Sequence, residues 1–261
     1  MSSNEWVVLE EDGGKTYLVE LIDDVIKIKG LGVFNPSAEL SGIIMGDEVT
    51  IGQKVLTKLS PRLPEIYRSM KRRAQTISPK DAGIIITRLG IGPGDVVVEA
   101  GLGSGGLSLH LVRVLGNSGT LITVETRDEH AEVGLENLTR ARDCLQEFPT
   151  HHHLSGDIAE LTDEITKLSM MVDAVILDLP DHQSAIKTVS EVLKKGGRLI
   201  CYCPVTSQIE KAWEACENNG LTVEWAGELM ERQWGRATKG GIRPVNGPFG
   251  HTAFLLFAHK R

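Results

Sequence analysis

Long apolar runs are missing from this 261-residue chain. No stretch approaches the ~20 apolar residues that a bilayer-spanning helix needs. The opening Met1-Ser2-Ser3-Asn4-Glu5 is polar and unlike a signal peptide, so the expected location is the cytoplasm. Cysteine is scarce. Cys144, Cys201, Cys203 and Cys216 form no C-x-x-C pair, which argues against a zinc module. They read as free packing thiols, with disulfides an alternative for a hyperthermophile's chain. Cys201 and Cys203, on a predicted buried strand, are expected to point to opposite faces. There is no internal repeat and no low-complexity segment. With 41% apolar and 24% charged residues, the composition excludes a disordered chain.

Excess positive charge is also absent, the formal net charge being −7. That total conceals an asymmetry. Between Arg62 and Arg88 the basic residues Arg62, Arg68, Lys71, Arg72, Arg73, Lys80 and Arg88 face only Glu65 and Asp81, net +5. Between Glu228 and Arg261, Arg232, Arg236, Lys239, Arg243, Lys260 and Arg261 face Glu228 and Glu231, net +4. The rest of the chain therefore carries −16. An acidic body with two basic segments can bind a polyanion if the fold brings them to one face; ordinary solvated surface is the alternative.

Three textures follow one another. Residues 1–60 contain short alternating runs at 5–9, 15–21, 25–29, 48–51 and 54–57, with turns at Gly13-Gly14 and Asp23-Asp24, and predict a small antiparallel β domain. Residues 61–77 read as a basic connector holding Pro61 and Pro64. Residues 78–261 alternate strands and helices. Ser78-Pro79-Lys80-Asp81 is a helix start, ending near Gly90. Strands are predicted at 96–98, 120–124, 152–154, 174–177 and 198–202, and helices near 107–115, 129–145, 158–168, 184–193 and 207–218. This alternation implies a parallel sheet covered on both faces. Two further extended runs, 221–226 and 252–259, are joined by a loop with Gly240, Gly241, Pro244, Gly247 and Pro248, and should pair antiparallel. Such an ending resembles the class I S-adenosylmethionine-dependent methyltransferase fold rather than a dinucleotide dehydrogenase.

Glu99-Ala100-Gly101-Leu102-Gly103-Ser104-Gly105-Gly106-Leu107 follows the 96–98 run and opens a helix. Gly101, Gly103 and Gly106 satisfy G-x-G-x-x-G, which fits NAD, flavin or S-adenosylmethionine, or merely a glycine turn. The surrounding acids separate these. Glu99, read as lying inside the loop, would repel a pyrophosphate but can face a methionine ammonium. Glu125 ends the next strand and can accept ribose hydroxyls in either cofactor class. Asp157 can accept an adenine amino group or cap a helix. Asp178-Leu179-Pro180 ends the fourth strand, where ligands of open α/β sheets bind, and echoes the acid-proline element of nitrogen methyltransferases; a capping aspartate is the alternative. His151-His152-His153 superficially suggests a metal cluster but lacks ligand spacing, so alternating exposure on a strand is expected and no metal.

Taken together, these residues resemble the tRNA (adenine-58-N1)-methyltransferases along essentially the whole chain. The resemblance rests on residues 27–32, Lys71-Arg72-Arg73-Ala74-Gln75-Thr76-Ile77-Ser78-Pro79-Lys80-Asp81-Ala82-Gly83, the glycine loop, residues 124–127, Asp178-Leu179-Pro180, Arg243-Pro244 and Gly250-His251-Thr252. It implies an α/β, Rossmann-like sheet of seven strands with an antiparallel C-terminal strand, plus the small N-terminal β domain. It also implies S-adenosylmethionine as cofactor, tRNA as partner and a homotetramer. By position it implies Asp178 as the catalytic acid holding the target amino group, Glu125 at the ribose and Asp157 at the cofactor adenine. Ser104, Gly105, Gly106 and Leu107 fall at the amino-acid end, with Gln75 and His130 beside the cofactor. Arg243 and His251 face the substrate, and Arg72 and Arg73 supply phosphate contacts. Ser78 stands where family members often place an aromatic or histidine. The competing readings are a methyltransferase of a small molecule such as a corrin precursor, an NAD-dependent oxidoreductase, and a non-catalytic tRNA-binding paralogue. The N-terminal β domain and basic C-terminal loop oppose the first, Glu99 and the terminal hairpin the second, and the intact glycine loop with Glu125 and Asp178 the third.

Overall fold

The computed structural model describes residues 5–238, 240–245 and 250–261. Residues 1–4, Lys239, Gly247 and Pro248, which the sequence reading used, lie outside them. The N-terminal runs become β1 (Trp6–Glu10), β2 (Thr16–Glu20), β3 (Ile26–Ile28), β4 (Gly32–Phe34), β5 (Glu48–Ile51) and β6 (Lys54–Leu59). An antiparallel sheet has the order β2-β1-β6-β5, and β3 and β4 form a separate hairpin. Alternation puts Val7, Leu9, Val19, Ile51 and Leu56 into one small core. A short helix, α1 (Pro36–Leu40), was not expected; Asn35 caps it by accepting from the Ala38 N–H at 3.0 Å.

The 61–77 connector contains a second unexpected helix, α2 (Leu63–Ser69). Its prolines read as linker marks, but Pro64 stands in the first turn, where a fixed φ and a missing N–H cost nothing. Next come α3 (Pro79–Leu89), β7 (Val96–Ala100), α4 (Gly106–Leu115), β8 (Thr120–Glu125), α5 (Asp128–Cys144), β9 (Thr150–Ser155), α6 (Thr162–Leu168) and β10 (Val172–Leu177). The chain ends with α7 (Gln183–Val192), β11 (Leu193–Cys203), α8 (Thr206–Asn218), β12 (Leu221–Gly227), β13 (Trp234–Arg236), β14 (Ile242–Pro244) and β15 (Phe254–Lys260). The helix expected over 158–168 is broken: a 3-10 turn at Ile158–Glu160 precedes α6.

The large sheet has seven strands in the order β12-β15-β11-β10-β7-β8-β9. The pairs β7–β8, β8–β9, β7–β10 and β10–β11 are parallel. The last strand, β15, inserts antiparallel between β11 and β12, so the two terminal runs lie side by side as expected. Alternate residues feed two core layers. Val97, Ile176 and Ile200 pack on one face, and Val98, Val175 and Leu199 on the other. Cys201, Cys203 and Cys216 all lie in the second layer, which overturns the opposite-face expectation: two steps along a strand return to the same face. All four cysteines are unpaired. Chain order reverses between β7 and β10, which opens a crevice beyond their carboxyl ends.

Candidate active site

Two adjoining cavities occupy that crevice, one of about 520 Å³ and one of about 500 Å³. Gly101, Arg127, Asp178, Leu179 and Pro180 line both. Glu99, Gln75, Gly103, Ser104, Gly106, Leu107 and His130 line the first. Glu125 and Asp157 line the second. The three strand-end acids Glu125, Asp157 and Asp178 therefore meet at one cavity, and Asp178 stands in the wall that the two share.

The glycine loop is shaped by its own residues. Gly101, Gly103 and Gly105 have φ of +93°, +52° and +75°, a region in which side chains other than glycine are strained. The Gly101 and Leu102 N–H groups both donate to the Val124 carbonyl, at 2.9 and 3.2 Å, tying the loop to the end of β8. Gly105 lines neither cavity; it caps α4 and faces the Gly134 backbone on α5. A Cβ at Gly106 would fall 2.7 Å from the Thr76 Cβ, so the 71–77 segment lies directly over the loop. Ser104, 1% exposed, holds it there: its hydroxyl accepts from the Arg73 and Ala74 N–H groups, each at 3.0 Å. Asn137 adds a second tie. Its Nδ2 donates to the Lys71 and Ser104 carbonyls, and its Oδ1 accepts from the Lys71 N–H. The Ser104 side chain is thus occupied inside the protein, which leaves only its backbone for a ligand.

The acids have different surroundings. Glu99 is the fourth residue of β7, not part of the loop; it is 2% exposed and accepts from the Ser108 hydroxyl at 2.5 Å. Burial pushes its carboxyl up to about 8, with the Asp178 charge adding and Ser108 opposing. Glu125 accepts from the Gly103 N–H at 2.9 Å and from the Thr126 and Arg127 N–H groups at 3.0 and 3.1 Å. Burial works to raise its pKa, but these donors and the Arg127 guanidinium outweigh that and hold it below the ordinary value. Asp157 caps the 3-10 turn by accepting from the Ala159 N–H at 2.9 Å, so its capping role is real, and it lines the cavity as well. Burial, with some help from Glu125, pushes Asp178 up to about 6, while Arg127 opposes the shift.

The basic candidates lie apart from the cavities. Arg72 and Arg73 are exposed, Arg72 with its guanidinium 5.6 Å from the Tyr67 ring. Arg243 is exposed on β14, opposite Gly235 of β13. His251 is held within the chain: Nδ1 is 2.8 Å from Glu228 Oε2, and Nε2 is 3.0 Å from the Pro204 carbonyl. His151, His152 and His153 do not alternate in exposure; each is half-buried, and the rings of His151 and His153 share the Thr123 hydroxyl. Ser78 is the N-cap of α3 and lies outside both linings.

The sequence reading assigned no site role to Tyr202 or Thr252, which also line the first cavity. Tyr202 is 8% exposed, and its hydroxyl donates to Asp81 Oδ2 at 3.4 Å. The P-K-D element was the available signal, since its aspartate is fully buried and faces this wall. What stayed hidden was the partner, 121 residues away.

Residues 56–240 match the family described as tRNA methyltransferase complex GCD14 subunit. The chain belongs to that family. It is 33% identical over 222 residues to the Methanocaldococcus jannaschii tRNA (adenine(57)-N(1)/adenine(58)-N(1))-methyltransferase TrmI, covering 77% of each chain. It is 32% identical over 217 residues to the Thermus thermophilus tRNA (adenine(58)-N(1))-methyltransferase TrmI, covering 81% of this chain and 77% of that one. A solved Thermotoga maritima structure described as a SAM-dependent O-methyltransferase superposes with a TM-score of 0.77 at 28% identity, covering 100% of this chain and 94% of that one. The Aquifex aeolicus tRNA (m1A58) methyltransferase TrmI superposes at 0.70 with 22% identity over 100% of this chain and 98% of that one, a likeness of fold. This GCD14-family chain thus has the class I methyltransferase fold, with the seven-stranded sheet and small N-terminal β region anticipated from its sequence.

The two cavities also fit a sulfonium nucleoside. Positive-φ glycines bring bare backbone to the helix N-terminus, where N–H groups favour a carboxylate. Glu99 is a buried acid whose charge a neighbouring cation would stabilise. Glu125 and Asp157 supply acceptors for hydroxyl and amino hydrogens. His130 Nδ1 is buried without a hydrogen-bond partner in the structure.

Proposed function

We propose that this protein transfers the methyl group of S-adenosylmethionine to N1 of adenosine 58 in the T loop of tRNA, giving 1-methyladenosine. Family membership supports the reaction class. The observation that carries the site assignment is Asp178, set in the wall common to both cavities at the carboxyl end of β10.

Glu99 faces the cofactor's methionine ammonium, and the loop backbone at Gly103, Ser104, Gly106 and Leu107 receives its carboxylate. Glu125 takes the ribose hydroxyls and Asp157 the adenine amino group, with Gln75 and His130 alongside. When bound, S-adenosylmethionine supplies an activated methyl group, so the protein need not create a strong nucleophile from adenine N1. Asp178 accepts from the exocyclic amine of the target adenine, which orients N1. It also opposes the positive charge that grows on the ring as the methyl arrives, in a site with little water to screen it. With its pKa raised to about 6, Asp178 is ionised at neutral pH, as an acceptor of the amine hydrogen must be.

Reaching N1 in a folded T loop requires extruding the base, at a cost of a few kcal/mol. Phosphate contacts from Arg72, Arg73 and Arg243 offset that cost. A homotetramer would gather basic segments from several acidic subunits onto one RNA surface, located in the cytoplasm with the tRNA pool. Incubation with methyl-labelled S-adenosylmethionine and an unmodified tRNA transcript, followed by nucleotide mapping, tests the reading. Label at A58 that vanishes when A58 is replaced is the expected result; label at A57 as well would extend it, and label on no tRNA would refute it.

A further inference from the structure

Between the end of β12 and the start of β15 the chain leaves the sheet and returns, carrying the β13–β14 hairpin with Arg236 and Arg243. The two ends of this excursion meet at adjacent residue pairs. Glu228 Oε2 lies 2.8 Å from His251 Nδ1, whose Nε2 lies 3.0 Å from the Pro204 carbonyl. One residue further along each arm, the Leu229 carbonyl and the Thr252 hydroxyl both accept from Lys80 Nζ, at 2.9 and 2.8 Å. The ammonium's third bond goes to Asp81 Oδ1 at 2.6 Å.

The second of these ties is unusual chemically. The Lys80 side chain is only 15% exposed, and that of Asp81 is fully buried. Lysine has three ammonium hydrogens, and here each meets an acceptor on a different segment: α3, the end of the β12 arm and the start of the β15 arm. Asp81 is anchored in turn by the Ser78 hydroxyl at 3.0 Å and by Tyr202 at 3.4 Å. An ion pair this well buried is costly to desolvate and persists only where its donors and acceptors are matched. A surface location would have served α3 alone; burial here ties α3 to both arms.

We infer that Lys80 is a positioning residue: through Leu229 and Thr252 it closes the neck of the 228–252 excursion and thereby fixes the hairpin's arginines relative to the cavity wall that Tyr202 and Thr252 form. His251 is a second, outer tie of the same neck rather than a direct RNA contact, since both of its ring nitrogens are engaged within the chain. Being exposed, it contributes less than the buried tie. The inference rests on the proposed tRNA substrate for its functional consequence, but not for its structural one.

The test uses the full chain with Lys80→Met, which keeps the apolar stem and removes the ammonium, and Thr252→Val, which removes one acceptor without stranding a buried charge. Hydrogen exchange is followed at residues 226–233 and 250–256, and dissociation constants are measured for S-adenosylmethionine and, separately, for an unmodified tRNA transcript. Lys80→Met should speed exchange in both neck segments and weaken tRNA binding about tenfold, the weight of one charge-assisted hydrogen bond. Cofactor affinity in Lys80→Met should stay within about twofold, because Lys80 itself lines neither cavity. Thr252→Val should move the same readouts in the same direction by less, and decides the matter if Lys80→Met does not fold. Wild-type exchange at the neck in the folded variants would overturn the inference, as would faster exchange with unchanged tRNA affinity. Failure of the wild-type protein to bind tRNA would instead count against the proposed substrate, with the exchange data still judging the neck.

Discussion

Gly101 and Asp178 are in backbone contact across the crevice: a Cβ added at Gly101 would overlap the Asp178 carbonyl oxygen. The first residue of the glycine loop and the acid at the end of β10 therefore constrain each other. In addition, the Asp178 N–H donates to the Ala100 carbonyl at 2.9 Å, so both sides of this contact are pinned.

Gly101→Ala should accordingly be the most damaging glycine substitution in the loop. A non-glycine residue at positive φ costs about 1–3 kcal/mol by itself, and the overlap would push the Asp178 loop aside. Gly103→Ala should be milder, because its Cβ would sit in ordinary contact, 3.4 Å from the Ala74 Cβ. Thermal denaturation and calorimetric titration with S-adenosylmethionine check the ranking; equal losses in the two variants would contradict it.

Asp178→Asn should lose activity and gain stability. The folded-state pKa of about 6 lies above the ordinary 3.8, so the native fold holds this carboxyl more easily protonated than the unfolded chain does. For an acid shifted upward, stability falls as pH rises between those values, and the whole penalty is present above about 6. At 1.36 kcal/mol per unit the penalty is about 2–3 kcal/mol. Asparagine removes it, so the variant should melt several degrees higher at pH 7.5, with the advantage gone near pH 4. Turnover should fall by about 10²–10³-fold, the usual effect of removing one electrostatic contact to the transition state. Wild-type turnover should itself decline as pH falls through about 6.

Glu99 should couple cofactor binding to proton release. With its pKa near 8, the carboxyl is largely neutral at pH 7, and a bound ammonium favours its charged form. Affinity for S-adenosylmethionine should therefore rise with pH up to about 8. Calorimetry in buffers of different ionisation enthalpy should register protons released on binding at pH 7. Glu99→Gln should abolish the release and flatten the pH dependence; undiminished release in that variant would exclude Glu99 as its source.

Charge reversal at Arg72 and Arg73 should raise KM for tRNA and leave cofactor affinity unchanged. These guanidiniums are exposed, while the tie from the Arg73 N–H to Ser104 does not depend on side-chain charge. If both contact phosphates, the slope of log binding constant against log salt should become shallower by about 1.5–2. A shift in cofactor affinity instead would relocate their role to the glycine loop.

Much of this site was legible in the residues. The Val96–Val98 run, the three spaced glycines and the acids Glu125, Asp157 and Asp178 after successive strands follow the periodicity of a parallel sheet, and strand ends must gather on one side of it. The terminal runs lacked a crossover helix, and two strands so joined can pair only antiparallel. Less legible were α1 and α2, because Pro36 and Pro64 serve equally in loops and first helical turns. Glu99 was misplaced by one structural element, since nothing local marks where β7 ends and its loop begins.

The sequence by itself determined the alternation of strands and helices in the large sheet, the glycine loop and the identity of the acids, because these depend on local periodicity and backbone freedom. Only the tertiary structure decided which groups are buried and what they meet: Ser104 turned to the 71–77 segment, Glu99 desolvated beside Ser108, Lys80 bridging residues 149 and 172 positions away. Desolvation and hydrogen-bond partnership are properties of surroundings assembled from distant parts of the chain, and no short stretch of residues carries them.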